Sequence, residues 1–216
     1  MPMKLAFFPG CLIPTRYPQM EAAVRKTNEV NKRLARIGKE YKGTSRIRHI
    51  VTILRDEIGL DRVAQSVKKP LSGVTVAIHY GCHFLKPSRI MNVDNPDHPH
   101  ILDDLISAMG AAPVKHEERV LCCGRSCQTE ETRTSMASTV ITSVSASRAD
   151  LMGMICPTCF TEFDLGQLKL SKKLNLDRPT PPSYLFQLLG IAQGFTPEEM
   201  GLGMQKLKPE KLLKQI

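Results

Sequence analysis

The cysteines are the residues of this chain that most clearly indicate metal binding or redox chemistry. Five of the seven cysteines form one spaced pattern. Cys82 is followed after 39 residues by the adjacent pair Cys122-Cys123. After a further 32 residues comes the motif Cys156-Pro157-Thr158-Cys159. Adjacent cysteines do not easily join in an unstrained disulfide, and an odd total cannot be fully paired within one chain. The pattern therefore indicates metal binding or redox chemistry.

Thiolates select soft metals, and several converging thiolates suit zinc or an iron–sulfur cluster. A structural zinc site takes four ligands, commonly as two close pairs, so five sulfurs exceed what zinc needs. The adjacent pair can bind two irons of one cluster more comfortably than one tetrahedral zinc. The Cys-x-x-Cys motif alone is also typical of a thioredoxin-like dithiol. The residues favour an iron–sulfur cluster and leave zinc, dithiol chemistry and inert buried cysteines as alternatives.

Two predicted strands run directly into cysteines of this pattern. The β-branched segment 74–80 leads into Gly81-Cys82, and the apolar segment 151–155 leads into Cys156. A weaker strand over 112–116 precedes the Cys122-Cys123 pair, and helical segments separate the three strands. Alternating strands and helices predict an α/β fold with a mostly parallel sheet and helices on both faces. Ligands of such sheets bind beyond the carboxyl ends of the strands, so these sulfurs are expected to converge.

Composition describes an ordinary globular protein, with 216 residues, 42% hydrophobic and 24% charged. No apolar run approaches the ~18 residues of a membrane span, and the first ten residues do not fit a signal peptide. We therefore expect a cytoplasmic protein, where cysteines stay reduced. The net charge of +9 favours an acidic protein partner over nucleic acid, because aromatic residues are only 5% of the chain. A solvated basic face is the simplest alternative.

Beyond spacing, the sequence resembles the family of heterodisulfide reductase B subunits, whose members carry cysteine-rich CCG domains. The resemblance rests on "HYGCHFLKPS" at 79–88, "LCCG" at 121–124 and "ICPTCF" at 155–160. The segments "FFPGCLIPTRYPQMEAAVRK" and "GFTPEEMGL" near the two ends extend it over almost the whole chain.

The resemblance implies a cofactor and the residues that hold it. Family members usually have two CCG domains, each binding a non-cubane [4Fe–4S] cluster through five cysteines, and they reduce the mixed disulfide of coenzymes M and B. Carried over by position, one such cluster per chain is implied here, with zinc as the alternative. We call its implied ligands the five-cysteine set: Cys82, Cys122, Cys123, Cys156 and Cys159.

The chain departs from the family pattern in two places. Only Cys11 represents the first CCG domain, and Arg125-Ser126-Cys127 stands where small glycine-rich residues are expected. We interpret Cys127 as a buried thiol outside the ligand set; the alternatives are a substitute ligand and a residue that crowds the site. The predicted organisation is a remnant of the first CCG domain plus a helical linker (1–70), a complete CCG domain (71–195) and a basic C-terminal tail (196–216).

These features predict the iron–sulfur subunit of a heterodisulfide-reductase-like oxidoreductase. Its expected partners are an iron–sulfur electron-transfer protein resembling the C subunit of that enzyme and, as a further candidate, a flavin-containing subunit. The alternative is a non-catalytic electron relay or a zinc-stabilised interaction subunit. Because one of two cluster motifs is missing, the sequence leaves open whether the chain is itself a disulfide reductase, and no side chain stands out as an acid or base.

Four polar residues near Cys82 receive separate predictions. We interpret His79, within the apolar strand, as a core residue with its hydrogen bonds satisfied, and His83 as a surface or helix-start residue. The alternative for His83 is a hydrogen bond to a cluster sulfur. Lys86 and Arg89 are expected to be solvated, with attraction of an anionic substrate as the alternative role.

Overall fold

A computed structural model describes residues 27–42 and 48–214 of the chain, which divides into two compact units, Met1–Ile53 and Leu54–Ile216. The described part of the first unit contains helix α1 (Thr27–Leu34) and helix α2 (Ile50–Ile53). Helix α1 continues as a short 3₁₀ turn and stops at Gly38, whose φ of +65° is the left-handed conformation that glycine adopts readily. Cys11 lies outside the described residues.

The second unit opens with a π-helical turn, Leu54–Ile58, and then alternates helices with four strands. In chain order the elements are α3 (Leu60–Gln65), β1 (Thr75–His79), α4 (Ser88–Met91), α5 (Ile101–Ala108), β2 (Ala112–Val114), α6 (Glu130–Ala146), β3 (Leu151–Met154), α7 (Pro157–Thr161), a π turn (Glu162–Gly166), α8 (Gln167–Lys173), β4 (Pro182–Tyr184), α9 (Leu185–Ala192) and α10 (Glu210–Leu213). In the described part of the chain, no helix is both long and apolar enough to cross a membrane.

The four strands form one all-parallel sheet in the order β2-β1-β3-β4. This confirms the predicted α/β class. The two central strands are buried almost throughout, as expected for strands of a parallel sheet. A Cβ on Gly153 would lie only 2.7 Å from Cγ1 of Val76, so glycine permits β1 and β3 to pack this closely.

Strand β4 is the element that the sequence did not predict. Its segment is rich in proline, which reads as a turn. The structure nevertheless pairs Pro182–Tyr184 with β3, and Met152 donates its backbone N–H to the Pro181 carbonyl at 2.9 Å. Proline is tolerated here because β4 is an edge strand, where one side of the backbone needs no ladder partner.

The segment after residue 195 packs against the second unit through leucines at 202, 207 and 212, all of them buried. The buried carboxylate of Asp164, in the π turn after α7, accepts backbone N–H groups from Lys206 and Leu207 at 2.9 Å. These contacts hold an irregular stretch whose backbone groups would otherwise lack partners.

At the amino ends of the two central strands, Asp150 connects three parts of the unit. Its Oδ2 accepts the backbone N–H of Thr75 at 2.9 Å, the Thr75 hydroxyl at 2.6 Å and the Nζ of Lys211 at 2.7 Å. Burial raises the pKa of Asp150, but hydrogen bonds from Lys211 and Thr75 outweigh it and lower the pKa below its usual value.

We expect Asp150→Asn to destabilise the protein by about 1 kcal/mol at pH 7, a value kept small by solvent screening. A depressed folded-state pKa gives stability that is present above the unfolded pKa and lost as pH falls through the folded pKa. The gap between wild type and variant should therefore begin to narrow as the pH falls below about 4. Urea unfolding at pH 7 and pH 3 measures it, with Asp177→Asn, on an exposed carboxylate, as control. A gap as large at pH 3 as at pH 7 would contradict the assignment.

Candidate metal centre

The strand order reverses beyond the carboxyl ends of β1 and β3. The chain leaves β1 towards β2 on one side and leaves β3 towards β4 on the other. Ligands of open parallel sheets bind where the strand order reverses in this way. The residues that follow β1 and β3 are Gly81-Cys82 and Cys156, as the sequence predicts.

Cys82 sits at a tight turn directly after β1. Gly81 adopts φ +70°, and a Cβ at that position would lie 3.4 Å from the Sγ of Cys159. The turn is closed by the Cys82 carbonyl, which accepts the backbone N–H of Lys86 at 2.9 Å. Glycine at position 81 thus lets the backbone approach the sulfur of a distant cysteine.

The adjacent cysteines lie in a loop that presses against helix α6. Gly124 adopts φ +79°, and a Cβ there would lie 2.7 Å from the carbonyl oxygen of Arg133. The Gly124 N–H donates to the Sγ of Cys122 at 3.4 Å, while Cys123 is buried. Only glycine combines this backbone conformation with this close contact to the helix.

The Cys-x-x-Cys motif forms the start of helix α7. Cys156 is its N-cap, and its Sγ accepts the backbone N–H of Cys159 at 3.4 Å. Pro157 occupies the first turn, where a missing N–H costs nothing. Both cysteines are buried, and the one-turn spacing places their sulfurs on the same side of the helix.

The thiols of the five-cysteine set interact with one another in a continuous chain. Each thiol shifts the pKa of a neighbouring thiol, which links Cys82 with Cys122, Cys122 with Cys123, Cys123 with Cys159, and Cys159 with Cys156. Cys122 receives hydrogen bonds from Cys123 and Cys82, which lower its pKa well below that of a free thiol. The pKa values of Cys82, Cys123 and Cys159 are raised, first by the hydrogen bonds to their neighbours and also by burial. Negative charge therefore concentrates on Cys122.

The donor chemistry of this chain of thiols fits an iron–sulfur cluster, although no three or more His, Cys, Asp or Glu side chains among the described residues are arranged to hold a metal ion. These five thiols, all within the described part of the chain, interact with their neighbours but do not surround a site for a single ion. The thiolate ligands of a cluster bind several different irons. They therefore do not need to converge on one metal ion. Glycine at position 81 leaves the space beside the Sγ of Cys159 free of a side chain.

A buried ion pair joins the cysteine loop to helix α7. Glu162, three residues after Cys159 and only 1% exposed, accepts hydrogen bonds from Arg125 at 3.1 Å and from Arg133 at 3.1 and 3.2 Å. Arg125 follows Gly124 in the loop, and Arg133 belongs to α6. Glu162 therefore fixes the loop and α6 to the helix that carries two cysteines.

A second polar cluster supports the same loop from the β1 side. The Tyr80 hydroxyl donates to Oδ2 of Asp103 at 2.7 Å and accepts the N–H of Leu102 at 2.9 Å. Arg119 forms an ion pair with Asp103, and its guanidinium lies 5.0 Å from the centroid of the Tyr80 ring. The Tyr80 N–H also bonds the Arg119 carbonyl at 2.8 Å. Residues just before Cys82 are thus tied to residues just before Cys122.

The sequence missed these supporting residues, because a glutamate in a helix or an arginine in a loop is usually a solvated surface residue. One usable signal was the position of Glu162, about one helical turn beyond Cys159. A second usable signal was the positive charge of Arg125, which stands where the family pattern has small glycine-rich residues.

Cys127 is half-buried, and its thiol donates to Sδ of Met136 at 3.6 Å. It has no hydrogen bond to the five-cysteine set among those described. Lys86 and Arg89 are exposed, and His83 is half-buried. Their proposed roles towards a substrate or cluster remain predictions.

His79 and His116 are both buried, but only His116 has hydrogen-bond partners. Nε2 of His116 lies 3.1 Å from the Ile78 carbonyl oxygen, and its Nδ1 lies 3.2 Å from the Ser143 hydroxyl. Among the described residues, neither ring nitrogen of His79 has a partner. Burial lowers the pKa of His79 to about 3. The prediction of a core position is confirmed, whereas the prediction of satisfied hydrogen bonds is wrong.

Comparison with known proteins finds similarity over the cysteine-bearing segment and beyond it. Residues 76–164 match the family model described as "Cysteine-rich domain", CCG. The chain is 34% identical over 204 residues to the B subunit of the ferredoxin/F420H2-dependent CoB–CoM heterodisulfide reductase of Methanosarcina acetivorans, covering 92% of this chain and 65% of the relative. It is 31% identical over 198 residues to a protein of Archaeoglobus profundus that is named as similar to the heterodisulfide reductase B subunit, covering 89% and 65%.

A further relative comes from another type of complex. The 8-methylmenaquinol:fumarate reductase membrane anchor subunit of Wolinella succinogenes is 29% identical over 204 residues, covering 94% of this chain and 71% of the relative. Among solved structures, a hypothetical protein from Helicobacter pylori superposes with a TM-score of 0.61 at 16% identity, covering 91% of this chain and 34% of that one. This likeness concerns the fold alone.

The family match assigns residues 76–164 to the CCG cysteine-rich domain, and this segment contains the whole five-cysteine set. Over about nine tenths of its length, the chain is similar to heterodisulfide reductase B subunits, with identities of 31% and 34%. It spans 65% of the length of these two relatives.

The pKa shifts and the burial of the five thiols predict the order in which they are alkylated in metal-free protein. Because the thiolate is the nucleophile, we expect iodoacetamide at pH 7 to modify half-buried Cys122 roughly tenfold faster than buried Cys156 and Cys159. Peptide mapping by mass spectrometry after short exposures measures the order. In urea the preference should disappear. Earlier modification of Cys159 than of Cys122 would contradict the charge distribution described above.

The buried ion pair predicts an unequal effect of two matched substitutions on Arg133 partners. Glu162→Gln should lower the free energy of unfolding by about 1–3 kcal/mol, since it removes a buried charged acceptor that pairs with two arginines. Glu130 pairs with the same arginine at 2.9 Å but is 75% exposed, so Glu130→Gln should cost less than about 0.5 kcal/mol. Chemical denaturation measures both. Equal losses would show that burial of the carboxylate is unimportant.

Proposed function

We propose that this protein is an iron–sulfur subunit of a heterodisulfide-reductase-like oxidoreductase. Its role is to transfer electrons through one cluster to a disulfide substrate, or to reduce that disulfide. The observation that carries the proposal is the convergence of cysteines beyond the ends of β1 and β3, where the Gly81 turn before Cys82 lies against the Sγ of Cys159. The five thiols also shift one another's pKa values. The names of the relatives, which refer to heterodisulfide reductase B subunits, supply the reaction class.

The cofactor we propose is one non-cubane [4Fe–4S] cluster per chain, held by the five-cysteine set within residues 71–195. When bound, such a cluster supplies one-electron transfer and iron with an affinity for sulfur. The chain contributes the ligands, the Gly81 turn beside the Sγ of Cys159, the Gly124 turn that lets the cysteine loop contact α6, and the buried ion pair that keeps this loop against α7.

The unequal burial of the thiols indicates from which side the site can be reached. Cys123, Cys156 and Cys159 are buried, whereas Cys82 and Cys122 are partly exposed. A substrate or a redox partner therefore reaches the site from the side of Cys82 and Cys122. Lys86 and Arg89 are exposed on the segment after Cys82, and their positive charge suits an anionic disulfide on this side.

Electrons have to arrive from another protein, because a disulfide takes up two electrons and two protons to give two thiols. We propose an iron–sulfur electron-transfer protein, resembling the C subunit of heterodisulfide reductase, as the donor, and a flavin-containing subunit as a further partner. The net charge of +9 supports an acidic partner surface. A cytoplasmic location completes the proposal.

A second candidate function is that of a non-catalytic electron relay. It is supported by the relative from Wolinella succinogenes, whose name assigns it to a fumarate reductase rather than to a disulfide reductase. In that role the same five thiols hold the cluster, but no disulfide reacts at it. A zinc-stabilised interaction subunit is the remaining alternative.

Single substitutions test which thiols hold the cluster. After anaerobic reconstitution with iron and sulfide, we expect Cys123→Ser to lose most of its bound iron and its paramagnetic signal, because a hydroxyl is a poor ligand for this soft site. Cys127→Ser, four residues away on the same loop, should retain both. Iron analysis and EPR measure the result. Equal iron loss in the two variants would contradict the proposed ligand set.

One reaction separates the reductase from the relay. The reconstituted protein is reduced, freed of excess reductant and mixed with either a small anionic disulfide or a one-electron dye. A reductase is reoxidised by both and releases thiols in proportion to the electrons consumed. A relay is reoxidised by the dye alone.

A further inference from the structure

His79 is a buried polar residue that nothing in the described part of the fold satisfies. It is the last residue of β1, and 1% of its surface is exposed. Neither Nδ1 nor Nε2 has a hydrogen-bond partner among the described residues. A buried polar group without a partner costs about 1–3 kcal/mol, so its retention at this position needs an explanation.

The imidazole of His79 lies close to the sulfur of Cys159. The point where a Cβ of Gly81 would lie is 3.9 Å from Nε2 of His79 and 3.4 Å from Sγ of Cys159. The histidine ring and the sulfur thus border the same side-chain-free space at the turn. On another side, Phe163 contacts the ring edge-to-face, with centroids 5.0 Å apart and planes at 80°, which fixes the orientation of the ring.

His79 is held in the neutral form, since burial and the nearby His116 both disfavour a positive charge there and lower its pKa. A neutral imidazole carries one N–H donor. His116 offers a comparison within the same unit: it is also buried, but the Ile78 carbonyl and the Ser143 hydroxyl satisfy it. His79 therefore has an N–H donor available to the site, whereas both ring nitrogens of His116 are used in hydrogen bonds within the core.

We propose that His79 donates its N–H to a sulfur of the bound iron–sulfur group, and that this hydrogen bond tunes the reduction potential of that group. The inference rests on the proposed function, because it needs a cluster at the five-cysteine set. It assigns His79 as a positioning and tuning residue and not as a ligand.

A donor aimed at a cluster sulfur stabilises the reduced state more than the oxidised state, because reduction adds negative charge. Removing the donor should therefore make the potential more negative. Substitution of groups around metal ligands commonly changes affinity or activity by about 10–100-fold. We expect about a tenfold change in the one-electron equilibrium constant, which corresponds to about 59 mV.

The test is an EPR-monitored redox titration of the reconstituted full chain and three variants. His79→Phe keeps an aromatic ring but removes the donor, so its potential should fall. His79→Gln keeps an N–H donor and should recover most of the wild-type value. His116→Gln, a substitution of the satisfied buried histidine, controls for general disturbance of the core and should leave the potential unchanged.

A second measurement can be made on wild-type protein and does not depend on a variant at position 79. Pulsed EPR of wild-type protein labelled with ¹⁵N only in histidine should reveal one weakly coupled nitrogen in the paramagnetic state. The coupling should survive in His83→Gln, which removes the histidine beside Cys82, and in His116→Gln. This measurement keeps the proposal testable if His79→Phe does not fold.

The outcomes are distinguishable. A cluster that forms with an unchanged potential in His79→Phe, or without a histidine nitrogen coupling in wild type, overturns the role of His79 and leaves the proposed function intact. Equal potential shifts in His79→Phe and His79→Gln would also overturn it, because the donor would then be irrelevant. A wild-type chain that assembles no cluster overturns both proposals.

Discussion

The parallel pairing of β1 with β3 determines where the cysteines lie. The register matches Val76 with Leu151 and His79 with Met154, so the two strands end at the same level. Cys82 and Cys156 then emerge beside each other although 73 residues separate them in sequence. Gly153 makes the pairing possible at this distance, because any side chain there would collide with Val76. A shift of one residue would turn the side chains of β3 to the opposite face.

Two polar clusters convert this edge of the sheet into a defined site. Glu162 and its two arginines attach the cysteine loop to α7, while Tyr80, Asp103 and Arg119 attach the same loop to the end of β1. Buried charges are costly unless they are paired. Their presence around a loop with two adjacent cysteines indicates that the positions of the sulfurs matter more here than the stability an apolar core could give.

Much of this arrangement is readable from sequence, for identifiable reasons. Segments 74–80 and 151–155 are apolar and end at cysteines, so both the central strands and the convergence of Cys82 with Cys156 follow from local patterns. Strand β4 does not, because its prolines read as a turn and only pairing with β3 makes it a strand. The partners of Glu162 and the isolation of His79 are equally hidden, since each depends on contacts between segments distant in the chain. The burial of His79 was predictable; its lack of partners was not.

The central claim is that the five-cysteine set holds several irons rather than one zinc. X-ray absorption at the iron and zinc edges of protein purified under strict anaerobiosis tests this most directly. The account predicts an iron edge dominated by sulfur ligands, with additional scattering from neighbouring irons at a short distance. A zinc edge with four sulfur ligands, and no iron–iron scattering, would contradict it.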